Sequence, residues 1–207
     1  GSQPVPVSDL DLSVLYAKTD PLGPQIPEKS WQRDADPIYL WEPPVGVATV
    51  AGYSYAFDAD PDTVIDTTAT SLDVQTTVFK LLADGKHTFT VKALNSAGNA
   101  GKPVVLELWV DTLPPRLEQY SPAPGALLNQ GSPQVQATVI DDSSGLSAQS
   151  LSLMLNGIAL PVQIDAATGL MTASGGAWKE GANSLELRMA DVIGNAQPQL
   201  IWSVVRD

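Results

Sequence analysis

The stretch VKALNSAGNAG (residues 91–101) is followed, 96 positions later, by LRMADVIGNAQ (residues 187–197). Both copies contain Gly-Asn-Ala, and the same offset holds upstream without a gap, where it relates Gly85 to Gly181. A period of this length is too long for the units of a solenoid and fits two whole small β domains. The repeat therefore predicts a chain built from two similar domains.

Residues around the repeat alternate between apolar and polar with a period of two, which indicates strands with one buried face. HTFTVKA and NSLELRMA alternate in this way, and GYSYAFD, PQVQATVI and VVLELWV add further strands. In SLSLMLNGIAL, Asn156-Gly157 favours a two-residue hairpin turn, because both residues tolerate positive φ. Since no stretch shows sustained helical periodicity, the predicted fold class is all-β, with two tandem antiparallel β-sandwiches.

The alternation also predicts which side chains form the two cores. The expected core residues include Phe89 and Val91 in the first domain, and Val135, Val139, Leu151, Leu153, Leu185 and Leu187 in the second. Trp31, Trp109 and Trp178 are expected to pack in a core or an interface, which is the usual place for large aromatic side chains. Trp109 shares a face with Glu107, so it should lie on the less buried side of its strand.

The domain boundary is placed at Pro114-Pro115, because two missing backbone donors prevent a central strand from continuing there. This gives a first domain at residues 8–112 and a second at residues 113–207. Residues 1–7 are interpreted as a cloning remnant and linker. QPVPV and DPLGPQIP, near the start of the chain, are interpreted as an extended leader.

Composition excludes several classes of function. The net charge of −12 argues against binding to nucleic acid or to anionic membranes, since both require clustered Lys and Arg. The absence of cysteine excludes disulfides, thiol catalysis and cysteine-ligated zinc. No apolar run approaches the ~18 residues of a membrane span, so no membrane insertion is expected for this fragment.

The first domain resembles a fibronectin type III domain, in the divergent form found in large bacterial surface and secreted proteins. The matching stretches are WEPP (residues 41–44), GYSYAFD and LLADGKHTFTVKALNSAGNAG. The resemblance implies that Trp41, Tyr53 and Tyr55 lie in the core of this domain. His87 stands at the position of the tyrosine that forms a conserved corner in that family, so the corner hydrogen bond is either lost or made by the imidazole.

The second domain resembles the bacterial immunoglobulin-like domains of secreted multidomain proteins. Its matching stretches are SPAPGALL, DDSSGLS, LMLNG, EGANSLELRMADVIGNA and WSVVRD. Together the two resemblances cover roughly residues 8–207, and they imply a secreted or cell-surface location. They also place each Gly-Asn-Ala in the loop between the last two strands, where Gly and Asn readily adopt turn conformations.

Catalytic chemistry finds little support in the sequence. The chain has one histidine, His87, in the middle of a predicted strand, whereas a catalytic triad requires a histidine beside an exposed nucleophile and an orienting acid. No glycine-rich phosphate loop follows a strand and opens a helix. We therefore expect a structural role for His87, no catalytic or cofactor-binding residues, and no enzymatic activity.

Two groups of aspartates are candidate calcium ligands, because Ca²⁺ prefers carboxylate oxygens. The first group is Asp58, Asp60 and Asp62, with Asp66 in the same loop; the EF-hand pattern fails there, since Thr63 and Ala69 replace the required Gly and Glu. The second group is Asp111, Asp141, Asp142 and Asp191, which the topology of an immunoglobulin-like sandwich is expected to bring to the domain junction. The alternative is that these aspartates stabilise their own turns and that water screens their charges.

Two classes of function remain open. The first is a non-catalytic, monomeric spacer or a protein-binding or adhesion segment of a larger exported bacterial protein, joined to flanking domains of that protein. The alternative is an accessory module of an extracellular enzyme that binds polysaccharide or docks the catalytic domain. A sugar-binding module should show a row of exposed aromatic rings, and a spacer should not.

Overall fold

The computed structural model describes residues 7–46, 49–74, 81–129 and 131–207. The chain divides into two compact units, residues 1–112 and residues 113–207. No helix among the described residues is long and apolar enough to span a membrane. The elements of the first unit are the 3₁₀ turn η1 (Val7–Leu10) and the strands β1 (Leu15–Lys18), β2 (Gln25–Ile26), β3 (Trp31–Gln32), β4 (Ile38–Trp41), β5 (Gly52–Phe57), β6 (Ser71–Asp73), β7 (Gly85–Leu94) and β8 (Val104–Val110).

The first unit is a sandwich of two four-stranded sheets, with strand orders β2-β1-β4-β6 and β3-β8-β7-β5. Neighbouring strands are antiparallel, except that β3 pairs in parallel with β8 and places Trp31 opposite Trp109. Apolar side chains from both sheets meet in one core, because alternate residues of each strand point inward. Its largest fully buried side chains include Tyr39, Phe89 and Leu108.

The second unit is a sandwich of the same kind, with strand orders β14-β15-β11-β9 and β10-β17-β16-β12-β13. Its strands are β9 (Arg116–Ser121), β10 (Leu127–Leu128), β11 (Val135–Ile140), β12 (Ser152–Leu155), β13 (Ile158–Leu160), β14 (Val162–Asp165), β15 (Leu170–Ala173), β16 (Gly181–Arg188) and β17 (Leu200–Arg206). The short strand β10 pairs in parallel with β17, as β3 does with β8 in the first unit. The sheet of β9, β11, β15 and β14 corresponds to strands A, B, E and D of the immunoglobulin-like arrangement, and β12, β16 and β17 correspond to its strands C, F and G.

The predicted fold class is confirmed, and each stretch predicted to be a strand contains one. The alternating stretches in the repeat form β7 and β16, and GYSYAFD contains β5. The two-residue turn between β12 and β13 is formed by Asn156 and Gly157, with φ of 51° and 78°. Both residues adopt the left-handed conformation that the hairpin requires, and for this reason the Asn-Gly signal in the sequence was informative.

Two predicted core residues, Tyr55 and Leu151, are only partly buried, whereas the others are buried. Tyr55 lies on β5, the last strand of its sheet, and the bridge to Thr67 that covers the outer edge of this strand is made at Tyr53, two residues earlier. Leu151 precedes β12 and packs against the margin of the second core. The period-two pattern gives the face on which a residue lies, and it does not give the distance of that residue from the edge of the sheet.

The interpretation of DPLGPQIP (residues 20–27) as an extended leader is wrong. This stretch contains a turn and β2, which pairs with β1 and places Ile26 opposite Ala17. Ile26 is buried, as are Leu10 and Leu12 from the segment before β1. Proline is tolerated here because β2 is an edge strand, whose outer side needs no backbone donor. Most of QPVPV lies outside the described residues.

Candidate functional site

The two Gly-Asn-Ala motifs form matching loops, one between β7 and β8 and the other between β16 and β17. Gly98 and Gly194 have φ of 82° and 91°, which explains why glycine occurs at both positions. In the first loop, Asn95 Oδ1 accepts backbone hydrogen bonds from Ala97 and Asn99, each of 3.0 Å. The repeated motif therefore serves the turn itself, as the sequence indicated.

In the second unit, the structure brings Asp191 and Asp141 together. Asp191 is buried, and its Oδ1 accepts backbone hydrogen bonds from Ile193 at 2.9 Å and Asn195 at 2.8 Å. Asp141 Oδ1 accepts backbone hydrogen bonds from Gly145 at 2.6 Å and from Ser143 at 3.1 Å. One carboxylate oxygen of Asp141 and one of Asp191 lie within 4.8 Å of each other. Both aspartates stabilise their own loops, and the pair could also supply two oxygen ligands to a hard cation.

The other two residues of this predicted group have different surroundings. Asp142 is exposed, and its carboxylate forms an ion pair with Arg116, a partner that the sequence analysis did not anticipate. Asp111 follows β8 in the first unit, where its backbone N–H donates to the carbonyl oxygen of Gln32 at 3.0 Å. Calcium binding by Asp111, Asp141, Asp142 and Asp191 stays a prediction.

The acidic loop after β5 folds back onto the outer face of that strand. Ser54 is fully buried, and its hydroxyl lies 3.3 Å from Asp62 Oδ1 and 3.2 Å from Asp66 Oδ2. Asp66 Oδ2 also accepts the backbone N–H of Tyr55 at 2.9 Å, and Lys92 Nζ donates to the carbonyl oxygen of Pro61 at 2.8 Å. These bonds account for Asp62 and Asp66 as loop-stabilising residues. Asp60 is exposed, and a metal held by Asp58, Asp60 and Asp62 also stays a prediction.

The carboxylate of Asp58 forms hydrogen bonds with His87 and Thr88. Asp58 Oδ2 lies 2.8 Å from His87 Nδ1, and Asp58 Oδ1 accepts the backbone N–H of Thr88 at 2.8 Å. Burial acts to raise the pKa of the Asp58 carboxyl, but the hydrogen bonds from His87 and Thr88 outweigh burial, so the pKa is lowered. Asp58 also has a φ of 54°, which is uncommon for a residue with a side chain.

His87 uses both of its ring nitrogens in structural contacts. Its Nε2 lies 2.8 Å from the carbonyl oxygen of Ala83, while Nδ1 faces Asp58. Since both partners are acceptors, only the doubly protonated ring can donate to both of them. Neither partner is a hydroxyl or thiol that the imidazole could deprotonate, so these two contacts do not form the nucleophile–base pair of a catalytic triad. The hydrogen bonds fit the structural role expected for this histidine.

A pair of partly exposed tryptophans lies on the outer face of the first unit. The ring centroids of Trp31 and Trp109 are 5.5 Å apart, and the ring planes are inclined by 59°. Lys86 Nζ lies 4.1 Å from the Trp109 ring centroid, and Trp109 Nε1 donates to Glu107 at 2.6 Å. Trp178, by contrast, is buried in the second core. Two of the five tryptophans thus combine an apolar surface with adjacent polar groups outside a core.

Sequence reasoning missed one titratable group, Asp34, which lies between β3 and β4. Burial raises the pKa of Asp34 to about 6, and the neighbouring Asp36 carboxyl adds to the rise. The backbone N–H of Asp36 donates to Asp34 Oδ1 at 3.0 Å. The pattern DAD at residues 34–36 could have drawn attention to close carboxyl groups, but the burial that raises the pKa has no signal in the sequence.

Comparisons with known proteins found likenesses among solved structures alone. No family model matches the sequence, and no curated protein matches it. Among solved structures, the chain is similar to the D00-D0 domain of intimin, with a TM-score of 0.39, 11% identity and coverage of 91% of this chain and 99% of that one. It is also similar to fibronectin(III)-like modules of CbhA from Clostridium thermocellum, with a TM-score of 0.37, 14% identity and coverage of 86% and 88%. A third likeness is to SGBP-B of Bacteroides ovatus, solved with a mixed-linkage heptasaccharide, with a TM-score of 0.27, 12% identity and coverage of 93% and 47%.

Proposed function

We propose that this chain is a non-catalytic tandem module of a larger exported bacterial protein, in which it serves as a spacer or as a protein-binding and adhesion segment. The observation that carries the proposal is that each unit is a sandwich with its own apolar core. A unit of this kind needs no partner to bury its apolar residues, which suits a segment placed between other domains. The hydrogen bonds that hold His87 on both sides support the non-catalytic part of the proposal.

A second candidate is an accessory module that binds polysaccharide, and the Trp31–Trp109 pair favours it. Aromatic rings stack on apolar faces of other groups, while Glu107 and Lys86 supply an acceptor and a donor next to them. The inclination of 59° between the rings makes an angled surface rather than a flat row. One face of Trp109 is already covered by Lys86, so the free ring surface is small.

Retention of the fluorescently labelled full chain on two panels tests both candidates. One panel carries immobilised extracellular proteins and the other carries purified polysaccharides. Saturable retention on a protein supports the adhesion role. Retention on a polysaccharide that is lost in Trp31→Ala, but kept in the control Tyr120→Ala on the second unit, supports the accessory role. Hydrolysis of any of the polysaccharides or proteins by the chain would contradict the non-catalytic proposal.

Stretching the full chain by single-molecule force spectroscopy tests the spacer role. Two separate unfolding events are expected, because each unit has its own core. Each event should release about 30–35 nm of chain, at roughly 3.3–3.6 Å per extended residue. A single event releasing twice that length would show that the units do not resist force independently, and would count against the spacer role.

A further inference from the structure

A cleft of about 530 Å³ opens among three loops of the second unit. The loops join β11 to β12, β14 to β15 and β16 to β17. In immunoglobulin-like sandwiches these loops lie at one end, which variable domains use for recognition. The apolar part of the lining includes Val139, Leu146, Ile164 and Val192. The volume is within the roughly 300–1,000 Å³ of small-ligand sites, so the cleft has room for a side chain and its neighbours.

Hydrogen bonds between the loops fix the walls of this cleft. The backbone N–H of Val192 donates to the carbonyl oxygen of Gly145 at 2.9 Å, which joins the first loop to the third. The backbone N–H of Val139 donates to the carbonyl oxygen of Gly169 at 2.9 Å, which ties the second loop to β11. A Cβ at Gly169 would lie 2.3 Å from that strand's Val139 carbonyl oxygen, so only glycine allows this approach. A cleft with fixed walls loses less conformational entropy when it binds a ligand.

The charge around the cleft is negative. Asp141 contributes to the lining, and a carboxylate oxygen of Asp191 lies within 4.8 Å of one of its oxygens. No lysine or arginine belongs to the lining, as far as the described residues show. Val192 is 58% exposed, so an apolar wall faces solvent near these carboxylates. The occupant that complements this surface has an apolar group next to a positive charge.

We propose that this cleft binds a segment of a protein partner that inserts an apolar side chain and places an adjacent lysine or arginine near Asp141. The inference deepens the protein-binding role proposed above and rests on it. It names a surface on the second unit, distinct from the tryptophan pair of the first unit. The apolar walls supply affinity, and the carboxylates select for positive charge.

Three short peptides separate the apolar contribution from the charge. Acetyl-Leu-Lys-amide carries both features, acetyl-Leu-Glu-amide reverses the charge, and acetyl-Ser-Lys-amide removes the apolar side chain. Each is titrated to about 10 mM, a range suited to fragments of this size, into the ¹⁵N-labelled full chain with excess chelator. We expect saturable shifts of the amide signals of Gly145, Gly169 and Val192 with the Leu-Lys peptide, and affinities lower by about fivefold or more with the other two.

Two neighbouring aspartates provide the test variant and its matched control. Asp141→Asn keeps an oxygen that can accept the bonds from Ser143 and Gly145, but it removes the charge. Asp142→Asn removes an equal charge from a side chain that pairs with Arg116 and does not line the cleft. We expect Asp141→Asn to weaken binding of the Leu-Lys peptide by about fivefold, and Asp142→Asn to change it by less than about twofold.

The proposal is overturned if no peptide produces saturable shifts at the cleft, if the Leu-Glu peptide binds as well as the Leu-Lys peptide, or if the two variants behave alike. Loss of the cleft proposal can be distinguished from loss of the protein-binding role. A chain that is retained on a protein surface, and whose retention is unchanged by Asp141→Asn, would keep the role and lose the cleft.

Discussion

Asn95 and Asp191 occupy equivalent positions in the two loops of the repeat, and each holds its loop together through one side-chain oxygen. Asn95 Oδ1 accepts from the backbone of Ala97 and Asn99, and Asp191 Oδ1 accepts from Ile193 and Asn195 at the corresponding offsets. The two residues differ in charge. Asp191 has a second carboxylate oxygen, which accepts a 2.6 Å hydrogen bond from the side chain of Asn195.

This equivalence predicts that the loop needs an acceptor and does not need a charge. Asp191→Asn should change the free energy of unfolding of the second unit by less than about 1 kcal/mol, because the amide oxygen keeps both backbone bonds and Asn195 can turn its side-chain amide so that its oxygen accepts from the new NH2 group. Asp191→Ala should lower it by about 1–3 kcal/mol, because two backbone donors near a buried position lose their partner. Urea denaturation in excess chelator measures both values. Equal losses in the two variants would show that the negative charge itself stabilises the loop.

Burial predicts a difference between two leucines of the second core. Leu187 is 1% exposed, so Leu187→Ala should cost about 2–5 kcal/mol of stability through lost transfer energy and the cavity left behind. Leu151 lies at the margin of the same core, and Leu151→Ala should cost clearly less. Both variants remove the same atoms, so the difference in urea midpoint reports burial alone. A larger loss for Leu151→Ala would contradict the strand register in this unit.

The strands and turns could be predicted from sequence because their causes are local. The alternation of apolar and polar residues in β7 and β16 reflects which face of each strand is buried. The glycine at position 98 reflects a turn that requires a positive φ. Ile26 was missed because the prolines on both sides of β2 hide a two-residue edge strand, although its partner Ala17 lies only nine residues earlier in the chain. The partners of Asp58 and Asp142 were missed for a different reason. His87 and Arg116 lie more than twenty residues away in each case, and no local pattern indicates those contacts.

The raised pKa of Asp34 predicts a pH dependence that a single variant should remove. An unperturbed Asp titrates near 3.9, whereas the folded protein holds Asp34 at about 6, so folding favours its protonated form. The stabilisation that comes from protonated Asp34 in the folded protein is therefore fully present below about pH 4, and it is lost as the pH rises through about 6.

Asp34→Asn keeps an oxygen for the backbone N–H of Asp36 and cannot ionise. Relative to the unmodified chain, Asp34→Asn should be more stabilising at pH 7 than at pH 4, as measured by urea denaturation at both values. Asp60→Asn, an exposed residue in another loop of the same unit, is the control for the loss of one negative charge. A stability difference for Asp34→Asn that is the same at both pH values would contradict the assignment.

Calcium binding near Asp141 and Asp191 is the last prediction. Two oxygens that contact one Ca²⁺ at about 2.3–2.6 Å can lie up to roughly 5 Å apart, and the pair lies within 4.8 Å. Two carboxylates this close repel each other unless solvent, hydrogen bonds or a cation compensates. The sequence argument adds Asp111 and Asp142 to the ligands, but Asp142 pairs with Arg116. The competing explanation is that the backbone hydrogen bonds of each loop are sufficient compensation.

Thermal melts in millimolar calcium and in excess chelator decide between the two explanations. A site filled at 100 times its dissociation constant should stabilise the protein by about 2.7 kcal/mol. Asp141→Asn and Asp191→Asn should each abolish the calcium-dependent shift, and Asp111→Asn should do so if the sequence argument holds. Asp142→Asn should retain the shift, since its carboxylate is engaged elsewhere. Superimposable melts of the unmodified chain in calcium and in chelator would leave Asp141 and Asp191 as residues that hold their own loops, with no metal to share.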